Sequence, residues 1–454
     1  MKLKLNVPDK VKEILDKFEE AGYEIYVVGG VVRDAMLDRP LTDWDFTTNA
    51  TPQEILRIVG EDGFYDNKYG TVGVRNGDER PLEITTYRTE HGYSDNRHPD
   101  KVAWGKSLQE DLARRDFTIN AMALRLASLA QGKPTFELID LYGGQADVKD
   151  KLIRAVGEAN ERFGEDALRM MRAIRIGAQL GFTIEQATLQ AIQANAGKTK
   201  QIAVERVKDE LFKLLSSDYP ADGYKLLRGS GLGEQILPEM DSTFKVEQKS
   251  PGRHHIYDVG THSVESLRFC VSLDPVTRLA TLIHDVGKVK TQRIYPDGRI
   301  TFYNHEMESA RIAENIATRL RFSNEEKDKF VRLVRWHQFT VNENQTDSAI
   351  RRILKNVGLS NMPDMLTLRV ADRLGGGARA TSWRLEDFKK RLLDVQKQPF
   401  SIQDLKINGN DVMKTKKLKP GPIVGKYLEA LFAEVEKGLP NEKAVLMEKL
   451  KTLA

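Results

Sequence analysis

The pattern of hydrophobic residues changes once along this chain, and that change restricts what it can fold into. Over residues 1–150, short β-branched apolar runs alternate with helical segments, and Thr71–Val74 and Leu82–Tyr87 are typical strands. From about residue 155 helical periodicity takes over, apart from a hairpin predicted at Arg293–Phe302 around a Pro-Asp-Gly turn. The sequence therefore predicts an α+β protein, in which a small mixed α/β head precedes a mostly α-helical chain.

Composition limits the class of protein. A chain of 454 residues suffices for several domains, and the Pro- and Gly-containing segment 240–256 is the best linker candidate. The net charge of +4 hides many charges of both signs, so a nucleic-acid surface must come from local clusters such as Lys414–Lys419. Cys270 is the only cysteine, which excludes an internal disulfide framework. With no secretory signal and no membrane-spanning run, we expect a cytoplasmic protein without a membrane partner.

A glycine pair followed by two aspartates points to chemistry on phosphates. Tyr23–Val28 is apolar enough to be a buried strand, and Gly29-Gly30 then lets the backbone turn and present amides to a triphosphate. Asp43 and Asp45 are predicted on the next strand, where residues two apart point the same way. Such a pair can hold two Mg²⁺ ions roughly 3.5–4 Å apart. Either motif alone could be an ordinary turn or a solvated loop, so the argument rests on their combination.

This combination resembles the pattern of the DNA polymerase beta nucleotidyltransferase superfamily. Further motifs are similar, in order, to those of class II tRNA nucleotidyltransferases, the CCA-adding enzymes, and of the related bacterial poly(A) polymerases. These motifs are Glu110–Ala123, Glu165–Arg172 and Ala203–Glu210. The chain departs from the family at Leu141 and Tyr142, which stand where Pro and Phe are usual in a hinge motif. The resemblance implies a nucleotidyltransferase head followed by a helical neck, body and tail.

The resemblance also implies roles for head residues. Asp43 and Asp45 would hold catalytic Mg²⁺, with Glu83 as a third acidic group, although a charge on the solvent face of an edge strand would look the same. Arginines and carboxylates in the motifs would hold the phosphates and ribose, the alternative being exposed salt bridges at helix ends. The residues expected to bind the nucleotide in the head are Gly29, Gly30, Arg33, Arg115, Asp116 and Asn120.

A polar segment in the head, Arg88–Lys106, lacks apolar periodicity and is predicted to be a mobile loop. In the family that it resembles, this loop is needed for the switch from C to A addition. Its full length argues against an enzyme that adds only CC, although a plain surface loop would have the same composition.

The segment that resembles the family's nucleotide-reading helix contains Asp166 and Arg169, which are three residues apart and are therefore expected to be neighbours on one helical face. Asp166 could accept from the exocyclic amine of cytosine or adenine while Arg169 donates to the ring nitrogen, whereas guanine and uracil present the opposite pattern. An ordinary helical ion pair is the alternative, with Arg172 as a second possible partner and Glu165 bracing the arginines.

Histidines and aspartates in the helical half form a second constellation. Each buried histidine alone could be a satisfied core residue, but imidazole and carboxylate together are good ligands for divalent metals. His262, His284-Asp285 and Asp372 resemble the four-residue signature of the HD phosphohydrolase superfamily, and His305 and His337 resemble the extra ligands of two-metal variants. The resemblance implies Mn, Ni, Fe, Co, Zn or Mg at this site, and metal hydroxide that attacks a phosphomonoester or a 2′,3′-cyclic phosphodiester.

Four domains are expected: a nucleotidyltransferase head at 1–150, a nucleotide- and RNA-binding neck at 151–245, an HD domain at 250–385 and a tRNA-binding tail at 386–454. In the tail, a glycine turn before a helix start at Pro422 could offer amides to a tRNA phosphate, aided by nearby lysines. A capping turn with solvated lysines is the alternative.

Together these features predict addition of C, C and A to the 3′ end of tRNA from CTP and ATP. The HD site would act as a phosphatase or cyclic phosphodiesterase that repairs damaged 3′ ends. Three alternatives stay open: a poly(A) polymerase, an enzyme that adds only CC or only A, and an HD phosphohydrolase whose head merely binds tRNA. The sequence does not indicate an oligomeric state.

Overall fold

The computed structural model describes residues 2–65, 70–77, 79–91, 101–104, 107–128, 134–248, 257–339, 345–396 and 402–453. The chain forms two compact units, Met1–Asp241 with Arg319–Arg321, and Ser242–Thr318 with Phe322–Ala454. The boundary lies inside the predicted linker, of which residues 249–256 are outside the described ranges. No helix within these ranges is both long and apolar enough to span a bilayer.

An eight-stranded sheet forms the centre of the first unit, in the order β1-β10-β9-β2-β3-β6-β5-β4. Neighbouring strands are antiparallel, except that β3 and β6 are parallel, and β7 and β8 form a separate antiparallel hairpin. The strands of this head are β1 (Lys2–Lys4), β2 (Ile25–Val28), β3 (Asp45–Thr48), β4 (Gly63–Tyr65), β5 (Thr71–Asn76), β6 (Glu79–Thr86), β7 (Arg88–His91), β8 (Lys101–Trp104), β9 (Met122–Ser128) and β10 (Thr135–Asp140).

The predicted head strands are present as β2, β5 and β6. The predicted loop Arg88–Lys106 differs at its two ends, where β7 and β8 pair with each other. This hairpin has no apolar alternation in the sequence, which is why periodicity did not reveal it. Residues 92–100 and 105–106 of that loop lie outside the described part of the chain.

Helices flank the sheet and then replace it. The helix at Asp9–Glu20 packs against β2 and buries Val11, Ile14, Leu15 and Phe18, the spacing of one helical face. The helices of the head are α1 (Asp9–Glu20), α2 (Gly30–Met36), α3 (Pro52–Val59), α4 (Leu108–Ala113) and α5 (Gly144–Asp150). Those of the following helical segment are α6 (Ala159–Glu165), α7 (Leu168–Leu180), α8 (Gln186–Asn195), α9 (Val204–Leu215), α10 (Pro220–Gly229), α11 (Leu232–Ile236) and α12 (Pro238–Asp241).

One short pairing within this segment was not predicted. Strand β11 (Leu152–Ile153) pairs in parallel with β12 (Thr183–Ile184), although strands were expected to end near residue 155. A two-residue ladder leaves no periodic signal in the sequence.

The second unit is helical, with the predicted hairpin present as β13 (Arg293–Ile294) and β14 (Ile300–Thr301). The helices after Ser242 are α13 (Val259–Arg268), α14 (Pro275–Ile283), α15 (Lys288–Thr291), α16 (His305–Arg319), α17 (Asn324–Trp336), α18 (Asp347–Val357), α19 (Met362–Gly375), α20 (Trp383–Gln396), α21 (Gly409–Lys416), α22 (Pro422–Glu436) and α23 (Lys443–Thr452). The last three helices enclose an apolar cluster of their own that includes Val412, Leu431 and Leu446.

Two glycines allow helices of this unit to approach closely. A Cβ added to Gly375 on α19 would lie 2.3 Å from Oγ of Ser266 on α13. A Cβ added to Gly287 would lie 2.3 Å from the carbonyl oxygen of His305, at the start of α16. These contacts have no room for a side chain, and they set the spacing of the segments that carry the predicted metal ligands.

Candidate active sites

Three acidic side chains meet at one end of the head sheet. Asp45 is the first residue of β3, in register with Val28 of β2 and Glu83 of β6. Arg80 connects the other two acids, with Nη1 2.8 Å from Oδ1 of Asp43 and Nη2 3.2 Å from Oε1 of Glu83. Glu83 therefore lies on an interior strand beside Asp45, and not on an edge strand.

The prediction that both aspartates lie on a strand was wrong for Asp43, which precedes β3. The pairing of β2 with β3 ends at Val28 and Asp45, because the chain turns away at Gly29, where φ is 80°. The residues before Asp45 thus have no β2 partner. A Cβ at Gly29 would lie 3.5 Å from Oδ2 of Asp45 and 3.6 Å from Nη1 of Arg115, so the turn lies directly against the acidic group.

The electrostatics of this acidic group suit a cation. Burial and the neighbouring carboxylates of Asp43 and Glu83 raise the pKa of Asp45 to about 7. Carboxylate oxygens are the ligands that Mg²⁺ prefers, and a divalent ion would relieve the repulsion among them. The donor set therefore fits Mg²⁺. Arg80 was missed by the sequence reasoning, and its position three residues before Glu83 gave no specific signal.

A hydrogen-bonded chain links the glycine turn to helix α7. Arg33 donates from Nη1 to Oδ1 of Asn120 at 2.7 Å, and Asn120 donates from Nδ2 to Oδ1 of Asp116 at 3.2 Å. The other oxygen of Asp116 accepts from Nε of Arg172 at 2.8 Å. Although burial favours its protonated form, the Arg172 guanidinium lowers the pKa of Asp116 to about 2. Four predicted nucleotide-binding residues thus belong to one network.

Arg115 is positioned by a carboxylate that the sequence reasoning did not single out. Asp111 is fully buried and accepts from Arg114 and Arg115, with 3.1 Å between its Oδ2 and Nη2 of Arg115. Burial opposes ionisation, yet the two guanidinium groups lower the pKa of Asp111 to about 2. Nε of Arg115 is buried and has no hydrogen-bond partner among the described residues. The spacing Asp-x-x-Arg-Arg on a helix could have indicated this pair.

The predicted pairing of Asp166 with Arg169 on one helical face was wrong. Asp166 lies between α6 and α7 with φ −141°, so the helix is interrupted at this residue. Its Oδ1 accepts from the backbone amide of Leu168 at 2.9 Å, and its Oδ2 lies 2.8 Å from Nη2 of Arg206 on α9. Arg172, the predicted alternative partner, is paired with Asp116 instead. The competing interaction is the local hydrogen bond from the Leu168 amide to the Asp166 side chain, which Asp166 makes from outside the helix.

Glu165 does brace two arginines of this segment. Its carboxylate lies 2.6 Å from Nη2 of Arg162 and also contacts Nη1 of Arg169. Arg169 further donates from Nη2 to the carbonyl of Arg114 at 3.0 Å, which ties α7 to the Arg115 segment. Arg162 and Arg206, which the sequence reasoning missed, therefore contact residues that were predicted to bind the nucleotide. Arg206 belongs to the motif Ala203–Glu210, in which no nucleotide-binding residue was predicted.

The second unit brings the six predicted metal ligands together. Asp285 lies in their centre, with Oδ1 3.1 Å from Nε2 of His305 and 3.6 Å from Nε2 of His337. Its Oδ2 lies 3.2 Å from Nε2 of His284 and 3.6 Å from Nε2 of His262. Asp285 therefore faces two histidine pairs with its two oxygens, an arrangement in which a carboxylate can bridge two metal ions.

The remaining ligand, Asp372, completes one of these pairs. Its Oδ1 lies 3.1 Å from Nε2 of His262 and 3.7 Å from Nε2 of His284. Lys288, which the sequence reasoning missed, is buried and places Nζ 2.6 Å from Oδ2 of Asp285. Burial would lower the pKa of His284, but the carboxylates of Asp285 and Asp372 raise it to about 10. Metal binding at this site would therefore displace a proton.

The tautomers of three histidines suit metal binding. Each hydrogen-bonds through Nδ1 to a backbone carbonyl three residues earlier, so Nδ1 carries the hydrogen and Nε2 is free to act as a ligand when the ring is neutral. The contacts are His284 to Thr281 at 2.7 Å, His305 to Phe302 at 2.8 Å and His337 to Val334 at 2.7 Å. Within the described residues, Nε2 of His284 is buried without a hydrogen-bond partner. This donor set fits divalent transition metals.

Comparison with known proteins identifies related families and proteins. The poly(A) polymerase head domain matches residues 25–154, the RNA and SrmB binding site of polymerase A matches 181–244, and tRNA nucleotidyltransferase domain 2 matches 301–450. The CCA-adding enzyme of Lactiplantibacillus plantarum is 34% identical over 441 residues, covering 96% of this chain and 94% of that protein. That of Limosilactobacillus reuteri is 33% identical over 455 residues, covering 98% and 96%.

The fold agrees with these sequence matches. The crystal structure of Bacillus stearothermophilus CCA-adding enzyme in complex with CTP superposes with a TM-score of 0.70 at 28% identity, covering 98% of this chain and 99% of that one. The head motifs, the matching domain models and the full-length similarity point the same way, and the chain belongs to the CCA-adding enzyme family.

Proposed function

We propose that this protein adds C, C and A in turn to the 3′ end of tRNA, using CTP and ATP and no nucleic-acid template. The observation that carries the proposal is the meeting of Asp45 with Asp43 and Glu83 beside the Gly29 turn. The acidic group lies next to a glycine turn that carries no side chain, and the chain belongs to the CCA-adding enzyme family.

Chain groups in the head prepare the transfer. Asp43 and Asp45, with Glu83 beside them, would hold Mg²⁺, which when bound activates the attacking 3′-hydroxyl of tRNA and stabilises the leaving pyrophosphate. Arg33 and Arg115 bind the triphosphate, since a guanidinium makes paired bonds to phosphate oxygens. Asn120 and Asp116 orient Arg33 and Arg172 through the hydrogen-bonded chain described above.

Base selection is assigned to Asp166 and Arg169. Asp166 accepts from N4 of cytosine or N6 of adenine, and Arg169 donates to N3 and O2 of cytosine or to N1 of adenine. Arg206 holds the Asp166 carboxylate and Glu165 holds the Arg169 guanidinium, so each of these two side chains is oriented independently. Uracil and guanine present an acceptor where Asp166 needs a donor, and are rejected.

Extension of a tRNA that lacks its 3′ end tests this function. CTP, ATP, UTP and GTP are supplied with Mg²⁺ singly and together, and products are separated at single-nucleotide resolution. The proposal requires addition to stop after C-C-A, and only when CTP and ATP are both present. A ladder of A with ATP alone would identify a poly(A) polymerase, and arrest after CC or after one A would identify a specialised enzyme.

We further propose that the HD domain at 250–385, which belongs to the second unit, is a metal-dependent phosphohydrolase that trims damaged tRNA 3′ ends. The supporting observation is that three histidines fixed by Nδ1 bonds direct Nε2 toward Asp285. His262, His284, Asp285, His305, His337 and Asp372 would hold Mn, Ni, Fe, Co, Zn or Mg, which when bound supplies hydroxide for attack on phosphorus. Lys288 stabilises the charge on Asp285. Hydrolysis of a 2′,3′-cyclic phosphate or a phosphomonoester after reloading with each metal tests this activity.

Each of the four expected domains has one role in the proposed function. Head 1–150 transfers nucleotides, neck 151–245 reads them, the HD domain at 250–385 hydrolyses phosphate esters and the tail at 386–454 binds tRNA. In the tail, helix α22 begins at Pro422 as the sequence predicted, and lysines including Lys416 and Lys417 precede it. Recognition of the tRNA duplex would depend on shape and backbone charge.

A further inference from the structure

Two cavities in the second unit share part of their walls. The first, of about 250 Å³, is lined by five of the six metal-ligand candidates and by Lys288, Gln338, Arg369 and Arg373. The second, of about 270 Å³, is lined by Arg369, Arg373, Ser382, Trp383, Arg384 and Leu385. Arg369 and Arg373 line both cavities, so the two cavities are neighbours that share these side chains as a common wall.

The two arginines are one turn apart on α19 and are fixed beside the metal ligands. Arg369 places Nη1 3.4 Å from Oδ2 of Asp372, and its guanidinium lies 5.6 Å from the ring centre of Phe339. Arg373 donates from Nε to the carbonyl of Arg379 at 3.1 Å. Guanidinium groups held at the edge of a metal site suit a phosphate ester whose reacting phosphorus faces the metals.

Trp383 lines the second cavity together with these arginines. It is the first residue of α20, and 64% of its surface is exposed, whereas Leu385 and Phe388 of the same helix are only 2% exposed. The Arg384 guanidinium lies 5.1 Å from the Trp383 ring centre. An exposed indole beside guanidinium groups is the arrangement on which nucleic-acid bases stack.

We propose that the second cavity is a base-binding subsite of the HD site. The substrate class is then a nucleoside 2′- or 3′-phosphate or its 2′,3′-cyclic phosphate, free or at the end of a strand. Its base stacks on Trp383 while Arg369 and Arg373 hold phosphate oxygens. This inference rests on the proposed hydrolase function of the same unit.

The reaction is a hydrolysis and needs no further reactant. With a cyclic phosphate, the oxygen of water bonds to phosphorus, one ester P–O bond breaks, and the released ribose oxygen takes a proton from water. The product is a 2′- or 3′-phosphomonoester. A second water breaks the remaining ester bond in the same way and releases inorganic phosphate.

Steady-state kinetics of the full-length, Mn²⁺-loaded protein test the subsite. The substrates are 2′,3′-cyclic AMP, a short oligoribonucleotide ending in a 2′,3′-cyclic phosphate, and glycerol 2-phosphate, which has no base. Loss of base stacking corresponds to about 1–3 kcal/mol, or roughly 5- to 150-fold in KM. We expect Trp383→Ala to raise the KM of a nucleotide substrate by at least fivefold relative to that of glycerol 2-phosphate, with kcat changed less than twofold. Trp383→Phe should bring the KM of the nucleotide substrate most of the way back to the wild-type value.

Leu393→Ala is the matched control, because Leu393 is on the same helix, is 60% exposed and does not line the cavity. It should leave every KM unchanged. An effect of Trp383→Ala on the oligonucleotide identifies a strand end as substrate, and an effect on cyclic AMP alone identifies a free nucleotide. Equal changes in KM for all three substrates, or no change, would overturn the subsite.

A binding measurement separates this inference from the hydrolase proposal. The fluorescence of Zn²⁺-loaded wild type minus that of Trp383→Phe isolates the signal of Trp383. Quenching of this difference by adenosine 3′-phosphate, but not by glycerol 2-phosphate, supports the subsite even if no metal gives turnover. A difference signal that neither compound changes would refute it, whatever the hydrolase activity.

Discussion

Oδ2 of Asp166 lies 2.8 Å from Nη2 of Arg206, and this contact joins the segment between α6 and α7 to helix α9. The pairing holds the Asp166 carboxylate, to which we assign base selection in the proposed function, in an orientation that does not depend on Arg169. The selection of C and A should therefore depend on a residue that does not itself contact the base.

Replacement of Arg206 by Ala should reduce addition of C and A by about 10- to 100-fold, since a charge-assisted hydrogen bond contributes about 1.5–3 kcal/mol. Misincorporation of U should rise because Asp166 becomes free to turn. Single-turnover incorporation of each nucleotide measures both effects. Lys213→Ala, on the exposed side of α9, is the control that should keep wild-type selectivity. Unchanged selectivity in Arg206→Ala would remove Arg206 from the site.

Removal of the head carboxylates should separate the two proposed activities. Asp43→Ala should abolish nucleotide addition, because the Mg²⁺ site loses a ligand, while metal-dependent hydrolysis and tRNA binding persist. Glu83→Gln should reduce the rate of nucleotide addition by about 10- to 100-fold if Glu83 holds the metal through its charge. Extension and hydrolysis assays on the same preparations check this. Full addition activity in Glu83→Gln would leave Glu83 with a structural role.

Loss of the metal ligands should have the opposite effect. The double variant His284→Ala, Asp285→Ala should bind no metal in the second unit, read by elemental analysis after dialysis, and should lose hydrolysis but not CCA addition. Hydrolysis at the wild-type rate in this variant would place that activity elsewhere.

Gly375→Ala should disturb the HD site through packing alone. The new Cβ would lie 2.3 Å from Oγ of Ser266, so α13 and α19 must separate and carry His262 away from Asp372. We expect a loss of about 1–3 kcal/mol in stability and weaker metal binding. Gly425→Ala on α22 is the matched control, because nothing lies within 4 Å of its Cβ. Thermal unfolding with and without metal measures the stability of both variants. An equal unfolding temperature for the two variants would contradict the packing argument.

The ion pair of Asp116 with Arg172 predicts a pH dependence of stability. The folded-state pKa of Asp116 is about 2, below its ordinary value of 3.8, so its contribution is complete above pH 4 and is lost as the pH falls toward 2. This contribution is about 2 kcal/mol. Urea unfolding should therefore show a smaller difference between wild type and Asp116→Asn at pH 3 than at pH 6. A difference independent of pH would mean that the pair is not ionised in the folded state.

The order of strands and helices could be predicted because hydrophobic periodicity is local, and β5, β6 and the β13–β14 hairpin lie where it indicated. The acidic pair was only partly predictable. That Asp43 precedes the strand follows from the departure of β2 at Gly29, which is a property of the pairing and not of the sequence around Asp43.

Contacts between distant segments set the limit of sequence reasoning. A motif identified Asp166, but not Arg206, which is 40 residues away and reaches it only through the packing of α7 against α9. The histidine motif predicted which residues would come together as candidate metal ligands. That each oxygen of Asp285 faces a different pair of histidines depends instead on how four segments of the chain meet. Trp383 belongs to no motif that the sequence analysis identified. Its role is inferred only from its exposure in a cavity that is also lined by Arg369 and Arg373.

The carbonyls that accept from His284, His305 and His337 belong to the backbone, each three residues before its histidine. A substitution at Thr281, Phe302 or Val334 changes a side chain but leaves that acceptor in place. The position of the hydrogen on Nδ1, which leaves Nε2 able to bind a metal, should therefore not change when the side chains at those positions are mutated. It depends instead on the local backbone, so fraying at the end of α14 or α17 would disturb the proposed metal site before the unit unfolds.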